Sequence, residues 1–403
     1  MSEKLNVLFV SDLVVPTGFS TVAHNIIKNI EEDFNFTGVG VNYKGDPHDY
    51  KFAIFPAVSG QAGNIYGVDR VCNLLNGTKV DLLFILNDAW VISYYLSAIK
   101  EHVKKPPKIV VYFPIDSEFH NPEWYKNFDI VNRAFTYTEF GKKVVKACIP
   151  EMNVEIIPHG VDTSTIYKLN DPLLKTRTAL FGDSAKKIKK LDELFIVLNA
   201  NRNQPRKKLD ITMKGFSLFA EGKDDVRLYM HCGIRDSSID VSYLAKRYNI
   251  DNKLIITNMA QGIQRIDIDK LNIIYNACDV GINTSMGEGW GLTNVDHALT
   301  GAAQIVPRHS ACEELFYDCG LLMETSNEFL FDNSQTVGKM VSPEEVARCL
   351  QVLYNNKELK NNLAEKAMSK FINTKYHWYT IAQKWKEVFL EVCTNNDDTT
   401  VPQ

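Results

Sequence analysis

Short apolar runs alternate along this chain with segments whose apolar residues recur every three or four positions. In the first half the runs are Asn6 to Val10, Val80 to Leu86, Lys108 to Phe113, Arg133 to Thr138 and Val154 to Ile157. Helical periodicity lies between them, as in Ser20 to Ile30 and Phe140 to Ala147. A run that is apolar at nearly every position reads as a strand covered on both faces, and intervening helices make the sheet parallel. The rhythm breaks over Asp162 to Lys189, which is polar and lysine-rich, and then restarts. Second-half strands are expected at Phe195 to Leu198, Val226 to His231, Lys253 to Thr257, Val280 to Asn283 and Ala303 to Val306. Helices are expected at Asp210 to Ala220, Ile239 to Tyr248, Asp269 to Ala277 and Pro343 to Tyr354. A last helix, about Tyr376 to Val392, carries Trp378, Tyr379, Trp385 and Phe389. The pattern predicts two doubly wound α/β halves, residues 1–175 and 190–375, with a flexible polar tail over 394–403. A cleft between them would lie at the carboxyl ends of both sheets, where open α/β sheets take ligands.

Length agrees with two halves, since 403 residues exceed one ordinary core and fit two domains of roughly 150–200 residues. A net charge of −4 leaves no basic excess for a nucleic-acid backbone. Cations that meet a phosphate must therefore be concentrated locally. The eight cysteines are scattered with no CxxC pair, which points to reduced thiols in a cytoplasmic protein rather than to structural zinc or a secreted scaffold. Leu5 to Val10 is apolar but is soon followed by Asp12, and reads as a first strand rather than a signal peptide. No run approaches about 18 apolar residues, so no membrane-spanning segment is expected. Peripheral membrane contact stays open.

The chemistry concentrates in Gly287-Glu288-Gly289-Trp290-Gly291-Leu292-Thr293-Asn294-Val295-Asp296. This stretch follows a strand-like run and leads into a helix expected to open at about Val295. Alternate glycines leave backbone amides uncovered, and a helix start adds a partial positive charge that suits phosphate. Glu288 and Asp296 suit hydroxyl groups instead, because an ionised acid can accept two of them. A segment offering both is built for a sugar nucleotide. Upstream, Arg202 and Lys207 lie five positions apart in a Pro-containing loop after a strand. Fixed cations there would stabilise a diphosphate leaving group as its bond to sugar breaks. Removing either is expected to cost on the order of 10²–10³ in rate. Asp267-Ile268-Asp269 has the DxD look of a metal site but reads as a helix start, and no metal is expected.

Arg202 and Lys207, then Tyr275-Asn276-Ala277-Cys278-Asp279-Val280, then Glu288-Gly289-Trp290-Gly291-Leu292 with Asp296, resemble in order and spacing family 4 of the retaining glycosyltransferases. In its compact size the chain resembles small microbial or virus-encoded mannosyltransferase-like members. Ile157-Pro158-His159-Gly160-Val161-Asp162 resembles the family's turn before its interdomain linker. The resemblance implies the GT-B fold: two facing Rossmann-like doubly wound parallel-sheet domains with a cleft between them. It also implies that helix 376–393 crosses back to the first domain.

By the same resemblance, Arg202 and Lys207 grip the diphosphate and Glu288 holds the donor sugar. Amides of Gly289, Trp290, Gly291, Leu292 and Thr293 meet sugar and phosphate, and the backbone at Met259 meets the base. Asp296 stands where the family has a glutamate for the ribose; its alternative reading is a helix-start residue favoured by the dipole. Gly18 resembles the family's Gly-rich loop. Asp116 follows the strand where many members carry a histidine, and is assigned a sugar contact; His120 reads as a loop histidine and His159 receives no role.

The expected activity is metal-independent transfer of a sugar from a nucleoside-diphosphate donor, with GDP-mannose as the leading guess, to a hydroxyl of a glycan or other acceptor. No cofactor beyond the donor is expected. No second carboxylate suits a double-displacement glycosidase mechanism, so the resemblance implies same-face substitution in which the departing phosphate helps deprotonate the acceptor. UDP-sugar transfer, sugar-nucleotide epimerisation and an inert nucleotide-sugar-binding protein are the alternatives. Acceptor choice is assigned to first-half loops such as Gly45 to Gly67.

Overall fold

The computed structural model describes residues 3–58, 65–188, 190–257, 259, 266–331 and 334–394. The chain forms two compact units. Unit 1 comprises residues 1–115, 119–160 and 375–403; unit 2 comprises 116–118 and 161–374. Of the tail expected to fray over 394–403, Thr394 is helical instead, and the residues from 395 on lie outside the described residues.

Unit 1 begins with β1 (Leu5–Ser11), α1 (Gly18–Lys28), β2 (Phe34–Gly40), β3 (Ile54–Pro56), α2 (Val68–Gly77), β4 (Leu82–Leu86) and α3 (Ala89–His102). It continues with β5 (Lys108–Tyr112), β6 (Arg133–Thr136), α4 (Glu139–Cys148) and β7 (Val154–Ile156). The strands form one parallel sheet in the order β3-β2-β1-β4-β5-β6-β7. Leu82 to Leu86 is buried at every position, as a central strand between helical layers requires. Within α1 the buried Val22, Ala23, Ile26 and Ile27 fall at helical spacing, and Thr17 caps the helix by accepting from the Ser20 amide at 3.3 Å.

Unit 2 contains α5 (Leu173–Phe181), β8 (Phe195–Asn199), α6 (Leu209–Phe219), β9 (Val226–Met230), α7 (Val241–Arg247), β10 (Leu254–Ile256) and α8 (Ile268–Ala277). Then come β11 (Val280–Ile282), α9 (Leu292–Ala298), β12 (Ala303–Pro307), α10 (Ser310–Phe316) and β13 (Leu321–Met323). A hairpin, β14 (Thr325–Leu330) and β15 (Val337–Val341), precedes α11 (Pro343–Asn355) and α12 (Lys357–Phe371). The parallel sheet runs β10-β9-β8-β11-β12-β13, with β14-β15 as a separate antiparallel pair. Asp267 sits just before α8, so Asp267-Ile268-Asp269 is a helix start.

The polar interruption holds an element the sequence pattern missed. α5 sends Arg177, fully buried, into unit 2. Its guanidinium donates to the carbonyls of Ala277, Leu191, Asp192 and Leu194 at 2.8–3.1 Å and to Asp279 at 2.7 Å. A buried guanidinium is tolerated when every donor is met and a carboxylate balances the charge.

The last helix, α13 (Trp378–Thr394), belongs to unit 1, where Trp385 is fully buried against Phe84, Tyr112 and Phe135. Gly160 marks its entry: a methyl group there would come within 2.6 Å of the Trp378 ring and 2.8 Å of its Cα. Gly160→Ala is expected to destabilise unit 1 by about 1–3 kcal/mol, read as a lower urea midpoint. The neighbouring His159 is buried, its ring 2.8 Å from the Tyr112 hydroxyl, which donates to the Ile157 carbonyl. Burial pushes the imidazole down to about 3, so it stays neutral and structural.

Candidate functional site

In unit 2 the strand order reverses direction between β8 and β11, the chain passing outward to β9 and β10 on one side and to β12 and β13 on the other. Loops leaving the carboxyl ends of two such strands diverge and open a crevice. The loop after β8 carries Arg202 to Lys208, and the loop after β11 carries Asn283 to Gly291.

The first loop is shaped by Pro205, which opens a single tight turn over Pro205–Lys207. Lys208 follows at φ 48°, a left-handed conformation that redirects the chain into α6. The two loops are laced together. The Met286 amide donates to the Arg206 carbonyl at 2.8 Å, and Thr284 Oγ1 donates to the Lys208 carbonyl at 2.9 Å.

Glu288 lies at the centre, 4% exposed. Its Oε1 accepts from Lys207 Nζ, from Asn283 Nδ2 at 3.0 Å and from Ser285 Oγ at 2.7 Å. Oε2 faces Arg206 Nη1 at 3.5 Å. The Glu288 amide donates to Ser310 Oγ at 3.1 Å. Burial works to raise the Glu288 carboxyl, but Lys207 and Arg206 outweigh it and hold the group down at about 2. Burial, and then the Arg206 guanidinium, lower the Lys207 ammonium, with Glu288 opposing. A buried polar ladder supports this centre: Asn283 Nδ2 donates to Asn294 Oδ1 at 2.9 Å, and Asn294 donates to Gln304 at 2.9 Å. An ammonium has three donors and Glu288 takes one of them, so a buried cation can both brace the loop and meet an anion.

Two of the motif's glycines have separate structural causes. At Gly287 a methyl group would lie 1.8 Å from the Asp116 carbonyl oxygen, so the position demands close backbone approach. Gly291 takes φ 88° and caps α9. Trp290 is 4% exposed and packs into the unit, while Leu292 and Thr293 are partly exposed at the first turn of α9. That helix opens at Leu292, three residues earlier than the periodicity indicates. Asp296 therefore lies in its last turn, and the helix-start reading of Asp296 is corrected: at that end the dipole disfavours a carboxylate. Burial, then the like charge of Asp162, pushes the Asp296 carboxyl up to about 7.

Among the other expected residues, Asp116 joins this centre: its Oδ2 is 3.5 Å from Arg206 Nε. Arg202 does not bond to Glu288; its guanidinium forks onto Asp236, with Nε at 2.6 Å and Nη2 at 3.2 Å. Arg206 takes the place beside Glu288 instead, and sequence reasoning missed it. The one signal was its adjacency to Lys207 in a proline-led turn. Met259, 72% exposed, stands in the loop after β10. Gly18 is the first residue of α1 in unit 1. His120 bonds the Tyr125 hydroxyl at 2.9 Å. Among the described residues, no group of three or more His, Cys, Asp or Glu side chains could hold a metal ion, and no helix is long and apolar enough to cross a membrane.

No family model matches the chain, and no curated protein matches it in sequence. Solved structures do match. Anabaena HepE, in complex with UDP and glucose, is similar with a TM-score of 0.70 at 14% identity, over 96% of this chain and 100% of that one. Sucrose-phosphate synthase from Thermosynechococcus elongatus gives 0.72 at 13% identity, over 97% and 99%. WaaG, a glycosyltransferase involved in lipopolysaccharide biosynthesis, gives 0.68 at 12% identity, over 96% and 99%. The fold is GT-B, an α/β architecture with two doubly wound parallel sheets.

Proposed function

We propose that this chain is a glycosyltransferase that moves a sugar from a nucleoside diphosphate to a hydroxyl acceptor with retention of configuration. The observation that carries the reading is the buried Glu288 carboxylate, kept ionised between Lys207 and Arg206 on a glycine-rich loop at a sheet switch point. A fixed carboxylate suits donor-sugar hydroxyls, and the paired cations suit the charge that builds on a departing diphosphate. Such a site needs no metal to stabilise the leaving group. Asp116, Asp296, Gly18, Met259 and the amides from Gly289 to Thr293 keep the roles that likeness to family 4 implies.

UDP-sugars take precedence over GDP-mannose as donors, because HepE, which shares the fold, binds UDP. Incubation with UDP-glucose and with GDP-mannose, read as nucleotide release, tests the reading. Release from one of them is expected; release from neither, with a hydroxyl acceptor such as a simple glycoside present, would overturn it. An epimerase would instead alter the sugar with the nucleotide still attached.

Arg202→Ala is expected to lower donor kcat/KM by about tenfold, the low end for one charged hydrogen bond. The guanidinium, its side chain 39% exposed, already spends Nε and Nη2 on Asp236, so only its remaining N–H groups are left for a phosphate and its charge is partly offset. This revises downward, for Arg202, the loss expected of either cation. Steady-state kinetics of the variant check it.

A further inference from the structure

β12 runs parallel to β11, with Ile282 paired to Ile305, so the loop after β12 leaves the same sheet edge as the Glu288 loop. That loop is short: Arg308 and His309 lead directly into Ser310, the first residue of α10. Ser310 adopts φ 52°, a left-handed conformation that suits glycine and strains a residue with a side chain. Glycine would make the same turn without strain, so the hydroxyl must bring something in return. It accepts from the Glu288 amide at 3.1 Å, across 22 positions of chain. One residue on, the Ala311 amide donates to the Glu288 carbonyl at 3.2 Å. Both main-chain polar groups of Glu288 are therefore clamped by adjacent residues of one segment. The peptide before it is held as well, since Arg206 Nη1 donates to the Gly287 carbonyl at 2.6 Å.

His309 aims that hydroxyl. Its Nδ1 lies 3.1 Å from Ser310 Oγ, and the two residues are 6% and 5% exposed. Burial pushes the His309 imidazole down to about 4, so near neutrality it carries a single ring hydrogen. Ser310 Oγ already accepts from Glu288, and its own hydrogen is met when Nδ1 acts as the acceptor. The ring hydrogen then sits on Nε2. Donation thus runs from the Glu288 amide to Ser310 and from Ser310 to His309. The side-chain bonds to Lys207, Asn283 and Ser285 orient the carboxylate, but they cannot fix the peptide from which it hangs. The Ser310 hydroxyl does that.

We propose that Ser310 is a positioning residue for sugar transfer: its hydroxyl, aimed by His309, sets the Glu288 peptide and with it the carboxylate that meets the donor. The left-handed strain at Ser310 is retained because glycine would leave the Glu288 amide buried without its partner. The role given to Ser310 rests on the proposed function and acts entirely through Glu288.

The test uses the full chain and three variants, assayed with UDP-glucose and GDP-mannose and titrated with UDP and GDP by calorimetry. Ser310→Gly keeps the turn, relieves the strain and removes only the hydroxyl. Its kcat is expected to fall about tenfold through misplacement of the carboxylate. The nucleotide released from the working donor should still bind it with wild-type stoichiometry, which shows that the loss is not one of folded protein. His309→Asn keeps an acceptor where Nδ1 stands and should retain most of the wild-type kcat. His309→Leu fills more of the space but accepts no hydrogen bond, and should lose about tenfold, as Ser310→Gly does. A role in packing alone predicts the opposite order, because Asn leaves the larger void. Undiminished kcat in Ser310→Gly, a reduced stoichiometry in that variant, or His309→Leu as active as His309→Asn would each overturn the proposal and leave the proposed function standing. A wild type that releases nucleotide from neither donor would overturn the proposed function, and the role of Ser310 with it.

Discussion

Lys207→Met is expected to reduce donor turnover by on the order of 10²–10³, the cost of removing one preorganised charge-stabilising group. It is also expected to destabilise unit 2 by about 3–5 kcal/mol, because a buried carboxylate loses its principal partner. The two effects have different origins and separate experimentally. Lys207 is 8% exposed and Glu288 4%, so neither side chain reverts to bulk water when the other is lost. Arg206, at 3.5 Å, then becomes the remaining cation on Glu288 and covers only part of the deficit. Adding Glu288→Gln to Lys207→Met removes the stranded charge, and the double variant should recover most of the stability. Turnover should stay low, since neither the cation nor the sugar-binding carboxylate is restored. Urea unfolding and nucleotide release, measured on both variants, give the two readouts. A single variant with undiminished turnover would remove Lys207 from the chemistry.

The same pair sets an acid limit. Glu288 is held at about 2 in the folded state against a usual value near 4.3. A depressed carboxylate stabilises the fold above its unfolded value and loses that contribution as pH falls toward the folded one. The loss therefore falls between about pH 4.5 and 2.

What could be read from residue pattern follows from where water is excluded. β4, β5, β8 and β12 lie between helical layers and are apolar almost throughout, so their runs stand out. β2, Phe34-Asn35-Phe36-Thr37-Gly38-Val39-Gly40, was missed because glycine and polar residues break its run. A methyl group at Gly38 would come within 2.5 Å of Leu13, so that glycine serves packing that no local pattern reports. The hairpin strand β14 is exposed at nearly every position and had no buried run to reveal it. α3, apolar on several faces, masks its own period: Val91, Ile92, Ser93, Tyr95 and Leu96 are all buried.

The site divides in the same way. The spacing of Gly287, Glu288 and Gly291 is local, and the loop was legible from it. The partners of that loop are not local. Arg206 reaches Glu288 because a proline-led turn and the left-handed Lys208 aim it there, while Arg202, with an identical side chain, is claimed by Asp236 from the loop after β9. The need for glycine at 287 comes from a backbone carbonyl 171 positions away, at Asp116.

Asp296 carries the second large effect. Its carboxyl is raised to about 7 by burial first and by Asp162 second, so it changes charge across the neutral range. If it takes the ribose hydroxyls of the donor, only the ionised form accepts both. Donor kcat/KM should then rise about tenfold per pH unit below 7 and level off above about 8. Asp296→Asn, neutral throughout, should abolish this step and lower donor kcat/KM above pH 8 by about 10- to 100-fold, as expected for losing a charged hydrogen bond. Stability should move in the opposite direction. A carboxyl whose folded pKa exceeds its unfolded value, about 3.9, binds its proton more tightly when folded. That contribution is complete below about pH 4 and is lost as pH rises through 7. Asp296→Asn is therefore expected to melt close to the wild type at pH 4 and several degrees above it at pH 8. Thermal scans at the two pH values, beside donor kinetics from pH 6 to 9, measure both halves. Wild-type kinetics flat across that range would remove Asp296 from donor binding, and equal melting at pH 8 would mean that its burial imposes no cost.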